Sequence, residues 1–274
     1  MQELDFLVRL CRLENLGHAF MKTKGKRGEN MIKAYAKSDI GKVRDINQDY
    51  YYISNSLDEV QLYMLADGMG GYKGGEIASK LAIQSAKSYI ENNFKEIPKD
   101  KESIIQLVGS SMEYANMVVY EKSKEDSELE GMGTTLEVCL IYNNRAFIGH
   151  VGDSRIYRIR KEFMRKLTQD HSYVQKLVKD GTITQEQAAH HPQKNMLMKA
   201  LGCNAFVEPD VMVKGFLKDD ILIINSDGLT NLVSQEEIFK WAKKDIEQAP
   251  KELVKLANDN GGYDNITVIV IKNI

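Results

Sequence analysis

Aspartates recur in this sequence where apolar segments end, beside a glycine or a turn. Asp67 follows the apolar run LYMLA and opens DGMGGYKGG, and Asp49 ends RDINQD just before YYYI. Asp153 lies in GDSR, Asp227 in SDG and Asp264 in GGYDNITVIVI. Each one alone is typical of a plain turn residue. Together, five carboxylates at the ends of core segments would repel one another unless a cation compensated their charge, and hard cations prefer oxygen ligands. The sequence therefore predicts a divalent cation site and leaves its reaction open.

Two further features bear on phosphate chemistry. Arg44 lies five residues before Asp49. A guanidinium group can hold a phosphoryl group bidentately, although by spacing alone a solvated surface arginine is the simpler interpretation. A cluster of glycines has neither the Gly-Lys-Ser/Thr ending of a P-loop nor the GxGxxG spacing. It favours a tight turn that exposes a backbone carbonyl to a metal; its members are Gly68, Gly70, Gly71, Gly74 and Gly75.

These side chains must be positioned by the strands and helices around them. Strand-like patterns occur in IKAYAKS, DYYYIS, VQLYMLA, TTLEVCLIY, RAFIGHV, RIYRI, DILIINS and ITVIVIK. Helical periodicity covers about 75–93, 103–124 and 251–258, and residues 142–145 are typical of a hairpin turn. Strands that cluster together, instead of alternating with helices, favour an α+β fold with antiparallel sheets.

Two segments differ from this pattern. Residues 1–31 carry leucines at helical spacing and then a basic tract, so they are either an amphipathic helix on a tether or sequence that precedes a true start at Met31. We predict that they lie outside the fold and that residues 32–274 form the domain. Residues 168–202 show little strand character and two short helical stretches, 173–179 and 184–189. They are either a surface excursion or an insertion that lies over a site.

Composition limits the classes of function. The formal net charge is -2, so no basic field would attract nucleic acid or an anionic membrane. The most hydrophobic runs are of strand length, and the N-terminus lacks the uninterrupted apolar core of a signal peptide. Three widely separated cysteines are typical of free thiols in a reducing compartment. We expect a cytoplasmic protein with no membrane insertion and no nucleic-acid partner.

Taken in order, the motifs resemble one known family. The series runs from Arg44-x-x-Asn47-Gln48-Asp49 through DGMGG at 67–71, GMGTT at 131–135, GDSR at 152–155 and SDG at 226–228 to DN at 264–265. It is similar to the protein phosphatase 2C family, and most similar to its small bacterial members. The resemblance runs from about Ile32 to the C-terminus. Any single motif is a weak signal, whereas the ordered set is highly specific.

The resemblance implies a sandwich of two antiparallel β-sheets flanked by helices. Two Mn²⁺ or Mg²⁺ ions are expected in a cleft at one end of it. By this resemblance Asp67 bridges both ions, Asp227 and Asp264 complete the shell of the first, and the carbonyl of Gly68 serves the second.

The remaining site residues follow from the same resemblance. Asp49 holds metal-coordinated waters, and Asp153 with Asp227 forms a weaker third metal site. Arg44 binds the substrate phosphate, and Asn265 orients Asp264 or a water ligand. Residues 168–202 are similar to the mobile flap that lies beside the cleft in this family.

The implied activity is hydrolysis of phosphoserine and phosphothreonine in proteins. A water that bridges the two ions attacks phosphorus in line, without a phosphoenzyme intermediate. Animal members carry histidine where this chain has Met69, and a thioether cannot donate a proton to the leaving group. Metal-coordinated water, His171 or His191 could donate it instead. The structural interpretation of the histidines is simpler: His191 precedes Pro192 in a turn, and His171 caps a helix.

Two alternative functions remain open at this point. The first is a catalytically silent relative that acts as a binding module, which the retained aspartates disfavour. The second is a hydrolase of small phosphoesters. The depth of the pocket bears on this alternative, and the sequence does not show it. The resemblance also implies phosphorylated proteins as partners, and an opposing membrane-anchored serine/threonine kinase as a further expected partner. We expect a monomer.

Overall fold

The computed structural model describes residues 31–55, 60–70, 74–125 and 127–274. The predicted N-terminal extension lies outside these residues except for Met31, and so does Gly71 of the glycine cluster. Among the described residues, no helix combines the length and the apolar character needed to cross a bilayer.

Two antiparallel sheets form the centre of the molecule. In spatial order the first contains β1 (Ile32–Asp39), β11 (Ile266–Asn273), β10 (Ile221–Asn225), β7 (Arg155–Arg160) and β8 (Phe163–Lys166). The second contains β2 (Asp49–Ile53), β3 (Gln61–Met69), β5 (Leu136–Tyr142), β6 (Arg145–Val151) and β9 (Asp210–Gly215), with β4 (Gly133–Thr134) paired to β3. All pairings between these strands are antiparallel.

Helices cover the outer face of each sheet. The bounds are α1 (Gly74–Asn93), α2 (Lys101–Glu125), α3 (Tyr173–Lys179), α4 (Gln185–Ala189), α5 (Asp227–Thr230), α6 (Gln235–Lys244) and α7 (Ala249–Asp259). Buried side chains of α1 and α2 pack against the second sheet, and those of α6 and α7 pack against the first. A third apolar layer fills the space between the two sheets. The order of layers is therefore helix, sheet, sheet, helix.

Strand β11 shows why the sequence folds into these layers. Its side chains alternate between the two faces of the sheet, as the pleat of a strand requires. Ile266, Val268 and Val270 pack toward the helices, while Ile269 and Ile271 pack between the sheets. Because both faces are buried, the strand is a continuous apolar run and does not alternate with polar residues.

The structure confirms the predicted α+β sandwich and its long helices. Helix α1 begins one residue before the predicted start, α2 extends from Lys101, and α7 extends the third predicted helix at both ends. The predicted hairpin joins β5 to β6, with Asn143 and Asn144 both at positive φ. The sequence patterns missed β8, β9, α5 and α6, and did not separate the two-residue β4 from β5. The missed strands are short or only partly buried, so their apolar signal is weak.

Candidate metal centre and active site

Two of the predicted ligands face each other across one pair of strands. Asp49 opens β2, Asp67 lies near the end of β3, and the antiparallel register places the two residues directly opposite each other. Like charges in such a pair destabilise a sheet unless something compensates them. A pair of carboxylates at a strand end therefore indicates a site that requires positive charge.

The other three aspartates come from turns at the same end of the sandwich. Asp227 begins α5 directly after β10, and Asp264 lies two residues before β11. Asp153 lies between β6 and β7, after Gly152 at φ +117°. Antiparallel topology brings these turns to the end at which β2 begins and β3 ends. The five aspartates consequently meet although up to 215 residues of chain separate them.

The pKa values reflect this crowding. Burial raises the pKa of Asp67 well above its usual range, and Asp49, Asp227, Asp153 and Asp264 raise it further. Burial and then Asp227 raise the pKa of Asp153 to about 8. Burial raises the pKa of Asp49 to about 7, although hydrogen bonds to Thr267 and Ser226 oppose the shift. Burial and Asp264 also raise the pKa of Asp227. Each shift means that the negative form lacks a compensating charge.

Hydroxyl groups that the sequence analysis did not single out fix these aspartates. Ser226 Oγ donates to Asp49 Oδ2 at 2.8 Å. The backbone of Asp67 donates to Thr135 Oγ1 and accepts from Thr134 Oγ1, both at 2.9 Å. The two threonines belong to GMGTT and the serine to SDG, so the motifs used for the resemblance contained these residues without revealing what they contact.

Asn265 has a structural role that the sequence prediction described only in part. Its backbone N–H donates to Asp264 Oδ1 at 2.9 Å, which orients the predicted ligand. Its side-chain amide donates to the carbonyls of Ile40 and Ile46 and accepts from the N–H of Gln48. One buried side chain thus holds the loop that carries Arg44.

Arg44 lies at the rim of the site. Its Nη2 donates to Asp264 Oδ2 at 2.8 Å, and its side chain is about half exposed. It lines two clefts, one of about 290 Å³ with Lys194, Asn231 and Tyr263, and one of about 480 Å³ with Val43 and Tyr263. The arginine is therefore accessible to a solute while it remains in contact with the acidic cluster.

Gly68 lies where β3 meets the start of α1. It pairs with Thr134 of β4, and its N–H donates to the carbonyl of Gln48 at 3.1 Å. A Cβ at this position would collide with the carbonyl oxygen of Gly75. The two glycines allow α1 to begin directly against the strand end that bears Asp67.

The segment 168–202 contains α3 and α4, as its helical stretches predicted. Arg155 holds its beginning through a bidentate ion pair with Asp170, and a bridge from Thr134 to Leu201 holds its end. Lys194 and Asn195, between these anchors, line the smaller cleft with Arg44. The segment therefore reaches the site; its motion remains a prediction.

Neither predicted flap histidine lines either of the two clefts beside Arg44. His171 stacks on the buried His150 and accepts from the N–H of Gly152 at 3.1 Å. Burial and the neighbouring His150 lower its pKa to about 4, so it carries no acidic proton near neutral pH. The residue that caps α3 is Ser172, not His171. His191 accepts from the N–H of Gln193 in a turn, which agrees with its structural interpretation.

The residues present fit a hard divalent cation. Every candidate ligand is an oxygen donor, as Mg²⁺ and Mn²⁺ prefer. Asp49 Oδ1 is buried without a hydrogen-bond partner, so it has an unused lone pair inside the cluster. Within the described part of the chain, no three Asp, Glu, His or Cys side chains already form a complete ligand set.

Solved structures of serine/threonine phosphatases share this fold. The serine/threonine phosphatase Stp1 from Staphylococcus aureus superposes with a TM-score of 0.82 and 35% identity, covering 93% of this chain and all of that one. The catalytic domain of the serine/threonine protein phosphatase PstP, solved with two manganese ions, superposes with a TM-score of 0.79 and 33% identity, covering 90% of this chain and all of that domain. The fold is thus that of metal-dependent serine/threonine phosphatases.

Sequence comparison identifies the family. A family model described as protein phosphatase 2C matches residues 42–258. The protein phosphatase PhpP of Streptococcus pneumoniae is 38% identical over 239 residues, which cover 85% of this chain and 94% of PhpP. The chain belongs to the protein phosphatase 2C family, as its ordered motifs predicted.

Proposed function

We propose that this chain is a metal-dependent phosphatase that hydrolyses phosphoserine and phosphothreonine in proteins. One observation carries the proposal: aspartates from separate segments meet beside an accessible arginine, in a chain that belongs to the protein phosphatase 2C family. A chain without its metal-binding aspartates would favour the silent binding module, and this chain retains all five. We therefore do not favour that alternative.

The acidic cluster is the proposed metal centre for two Mn²⁺ or Mg²⁺ ions. Asp67 would contact both ions. Asp227 and Asp264 would complete the ligand set of the first ion, and the carbonyl of Gly68 would bind the second ion. Divalent cations supply a Lewis acid there that lowers the pKa of water and neutralises charge on the phosphoryl group. The oxygen-only donor set and the raised pKa values of Asp67 and Asp227 support this assignment.

Two aspartates have supporting roles in the proposed centre. Asp49 is held by Ser226 and would orient water through its free Oδ1. Asp153 would provide a third, weaker site with Asp227, since the charge of Asp227 raises the pKa of Asp153.

Arg44 is the proposed phosphate-binding residue. Its guanidinium group lines both clefts and carries N–H donors beyond the one that contacts Asp264. It would orient the phosphoryl group next to the acidic cluster and stabilise charge as the ester bond breaks. Met69 has no proton to give, and His171 is neutral, so we assign protonation of the leaving alkoxide to water in the cleft.

The partners follow from the same proposal. The substrates are phosphorylated proteins, and a serine/threonine kinase that phosphorylates them would be the opposing enzyme. A net charge of -2 and a cluster of acids at the site both disfavour nucleic acid as a ligand. We propose a monomer in the cytoplasm, and size-exclusion chromatography with light scattering tests the monomer.

The first experiment measures phosphate release from a phosphothreonine peptide with Mn²⁺ or with EDTA. We expect release only with Mn²⁺, and a loss of at least about 100-fold in Asp227→Ala, because even outer-shell changes at metal sites cost up to that amount. Glu113→Ala, which removes an exposed carboxylate on α2, is the matched control and should retain activity. No release from folded, Mn²⁺-loaded protein would overturn the proposal. Release only from a small aryl phosphate would favour the small-phosphoester alternative.

A further inference from the structure

Two large apolar residues are exposed in the cleft that the proposed phosphate-binding arginine also lines. The side chain of Tyr263 is 64% exposed and that of Val43 is 60% exposed. Val43 precedes Arg44 in the chain, and Tyr263 precedes Asp264, to which Arg44 is hydrogen-bonded. Exposed apolar residues that gather at one place on a surface are typical of a binding site.

The backbone fixes Tyr263 in this exposed position. Gly261 has φ +127°, and a Cβ there would lie 2.5 Å from Tyr263 Cζ, so the ring lies directly over a residue that has no side chain. The N–H of Lys42 donates to the carbonyl of Gly262 at 2.7 Å, which joins the tyrosine loop to the arginine loop. The loops that carry the aromatic ring and the arginine are thus hydrogen-bonded to each other and form one rim.

The larger cleft begins at this rim. It has a volume of about 480 Å³; Val43, Ile46 and Tyr263 are its apolar lining residues, and Arg44, Asp45, Gln48 and Gly70 complete the lining. The cleft is therefore continuous with the position proposed for the phosphoryl group. The smaller cleft, which Arg44 and Tyr263 also line, contains Lys194 and Asn231 and is more polar in character.

We propose that the larger cleft is a subsite for an apolar side chain adjacent to the phosphorylated residue of the substrate, with Tyr263 and Val43 determining specificity. This inference rests on the proposed phosphatase function. A peptide whose phosphate contacts Arg44 places its neighbouring residue within a few ångströms of the cleft, because successive Cα atoms are about 3.8 Å apart. The aromatic ring of Tyr263 and the aliphatic side chain of Val43 line the same cleft and would shield a leucine or phenylalanine side chain from water.

The test uses peptides that differ only at the residue before or after phosphothreonine. Each position carries Ala, Leu, Phe, Lys or Glu in turn, and kcat/KM is measured with Mn²⁺. We expect Leu or Phe at one of the two positions to exceed Ala by about tenfold, the lower end for an apolar pocket because this cleft is open to solvent. The readout is the Leu-to-Ala ratio within each protein, so a change in metal content or turnover cancels.

Four variants locate the effect. Tyr263→Ala and Val43→Ala should bring the ratio toward one, and Tyr263→Phe should keep it because the ring remains. Phe163→Ala removes another exposed aromatic side chain, on β8, that lines neither cleft, and it should leave the ratio unchanged.

The outcomes separate this inference from the proposed function. Hydrolysis of all peptides with a Leu-to-Ala ratio near one, or a preference for Lys or Glu, would overturn the subsite and leave the phosphatase assignment standing. A ratio that survives both Tyr263→Ala and Val43→Ala would overturn its location. Failure of the wild type to hydrolyse any phosphopeptide would overturn both proposals.

Discussion

The side chains of the site share one physical problem, which is uncompensated negative charge. Asp49 and Asp67 are opposed in register, and Asp227 and Asp264 each raise the pKa of both. Ser226, Asn231 and Arg44 offset part of this charge by donating hydrogen bonds to carboxylate oxygens. The clustered aspartates stabilise the fold less than they would if they were far apart. We therefore explain the cluster by the cation that it is proposed to bind.

The stability of the metal-free protein should therefore depend on pH. A carboxyl group whose pKa is raised by folding stabilises the fold fully below pH 3.8, the pKa that it has in the unfolded chain. This contribution is lost as the pH rises through the pKa of the folded state. With values of about 7 for Asp49 and about 8 for Asp153, the melting temperature in EDTA should fall between pH 5 and pH 9. Differential scanning fluorimetry across this range measures it.

Substitution and metal addition check the cause of that pH dependence. The melting temperature of Asp153→Asn should fall less steeply with pH than that of the wild type. The difference between the two proteins should reach roughly 2–4 °C at pH 9 if about 1 kcal/mol is involved, whereas Glu113→Gln should follow the wild type. Added Mn²⁺ should raise the wild-type melting temperature most at high pH, because the carboxylates are then ionised. An identical slope in Asp153→Asn would contradict the proposed origin.

Arg44 should contribute mainly to substrate binding. Arg44→Ala is expected to lower kcat/KM for a phosphothreonine peptide by about 10- to 100-fold, since hydrogen bonds to charged groups contribute roughly 1.5–3 kcal/mol. Arg44→Lys should recover only part of this loss because an ammonium group cannot bind bidentately. Steady-state kinetics with Mn²⁺ at saturation measure both variants, and an unchanged KM in Arg44→Ala would contradict the assignment.

At the scale of elements, the site depends on backbones that approach one another closely. The end of β3 meets the start of α1 at Gly68 and Gly75, and the start of α5 meets the segment before β11 at Gly228 and Asn265. A Cβ at either Gly68 or Gly228 would collide with a backbone carbonyl oxygen. Side chains at these junctions would separate the segments that carry the aspartates.

Gly68→Ala should therefore damage both stability and metal binding. We expect a loss of about 1–3 kcal/mol, typical of an overpacked site, and weaker saturation by Mn²⁺, because Asp67 moves with the strand end. Gly109→Ala is the matched control: its Cβ would meet Val211 Cγ2 at an ordinary 3.6 Å, and alanine favours the interior of α2 by roughly 0.5–1 kcal/mol. Urea unfolding and Mn²⁺ titration of both variants test this, and equal effects would contradict it.

At the scale of the whole molecule, two layers of helices enclose two sheets, and the site occupies one end. The apolar layer between the sheets joins strands that are distant in sequence, such as β3, β5 and β11. The pairing of β1 with β11 in the first sheet is extended by one hydrogen bond, in which the carbonyl of Met31 accepts from the N–H of Ile274 at 2.8 Å. The predicted domain boundary, between residues 31 and 32, lies at this hydrogen bond.

A chain that begins at Met31 should consequently retain activity and stability. We expect its kcat/KM on a phosphothreonine peptide to lie within about twofold of the full chain, because residues 1–30 belong to the extension that we predict to lie outside the domain. The matched variant begins at Ala36 and lacks half of β1, which pairs with β11, and it should lose stability. A large loss in the Met31 variant would contradict the predicted domain boundary.

Sequence patterns predicted the elements that have strong local signals. Both faces of β5, β10 and β11 are buried, so these strands are continuous apolar runs, and α1 and α2 are long enough to show their period. Strand β9 was missed because, as a partly buried edge strand, it has a weaker pattern. Helix α6 carried signals that were overlooked: Ser234 caps it, acids occupy its first turn, and lysines occupy its last.

The sequence by itself determined the family, the fold class and the identity of the acidic residues, since ordered motifs and strand periodicity are properties of the chain. Only the tertiary structure decided that Asp49 opposes Asp67, that Arg44 contacts Asp264, and that Tyr263 and Val43 share a cleft. These relations depend on strand register and on the packing of turns that are far apart along the chain. Neither can be obtained from local spacing, because long-range pairing is fixed by burial across the whole sandwich.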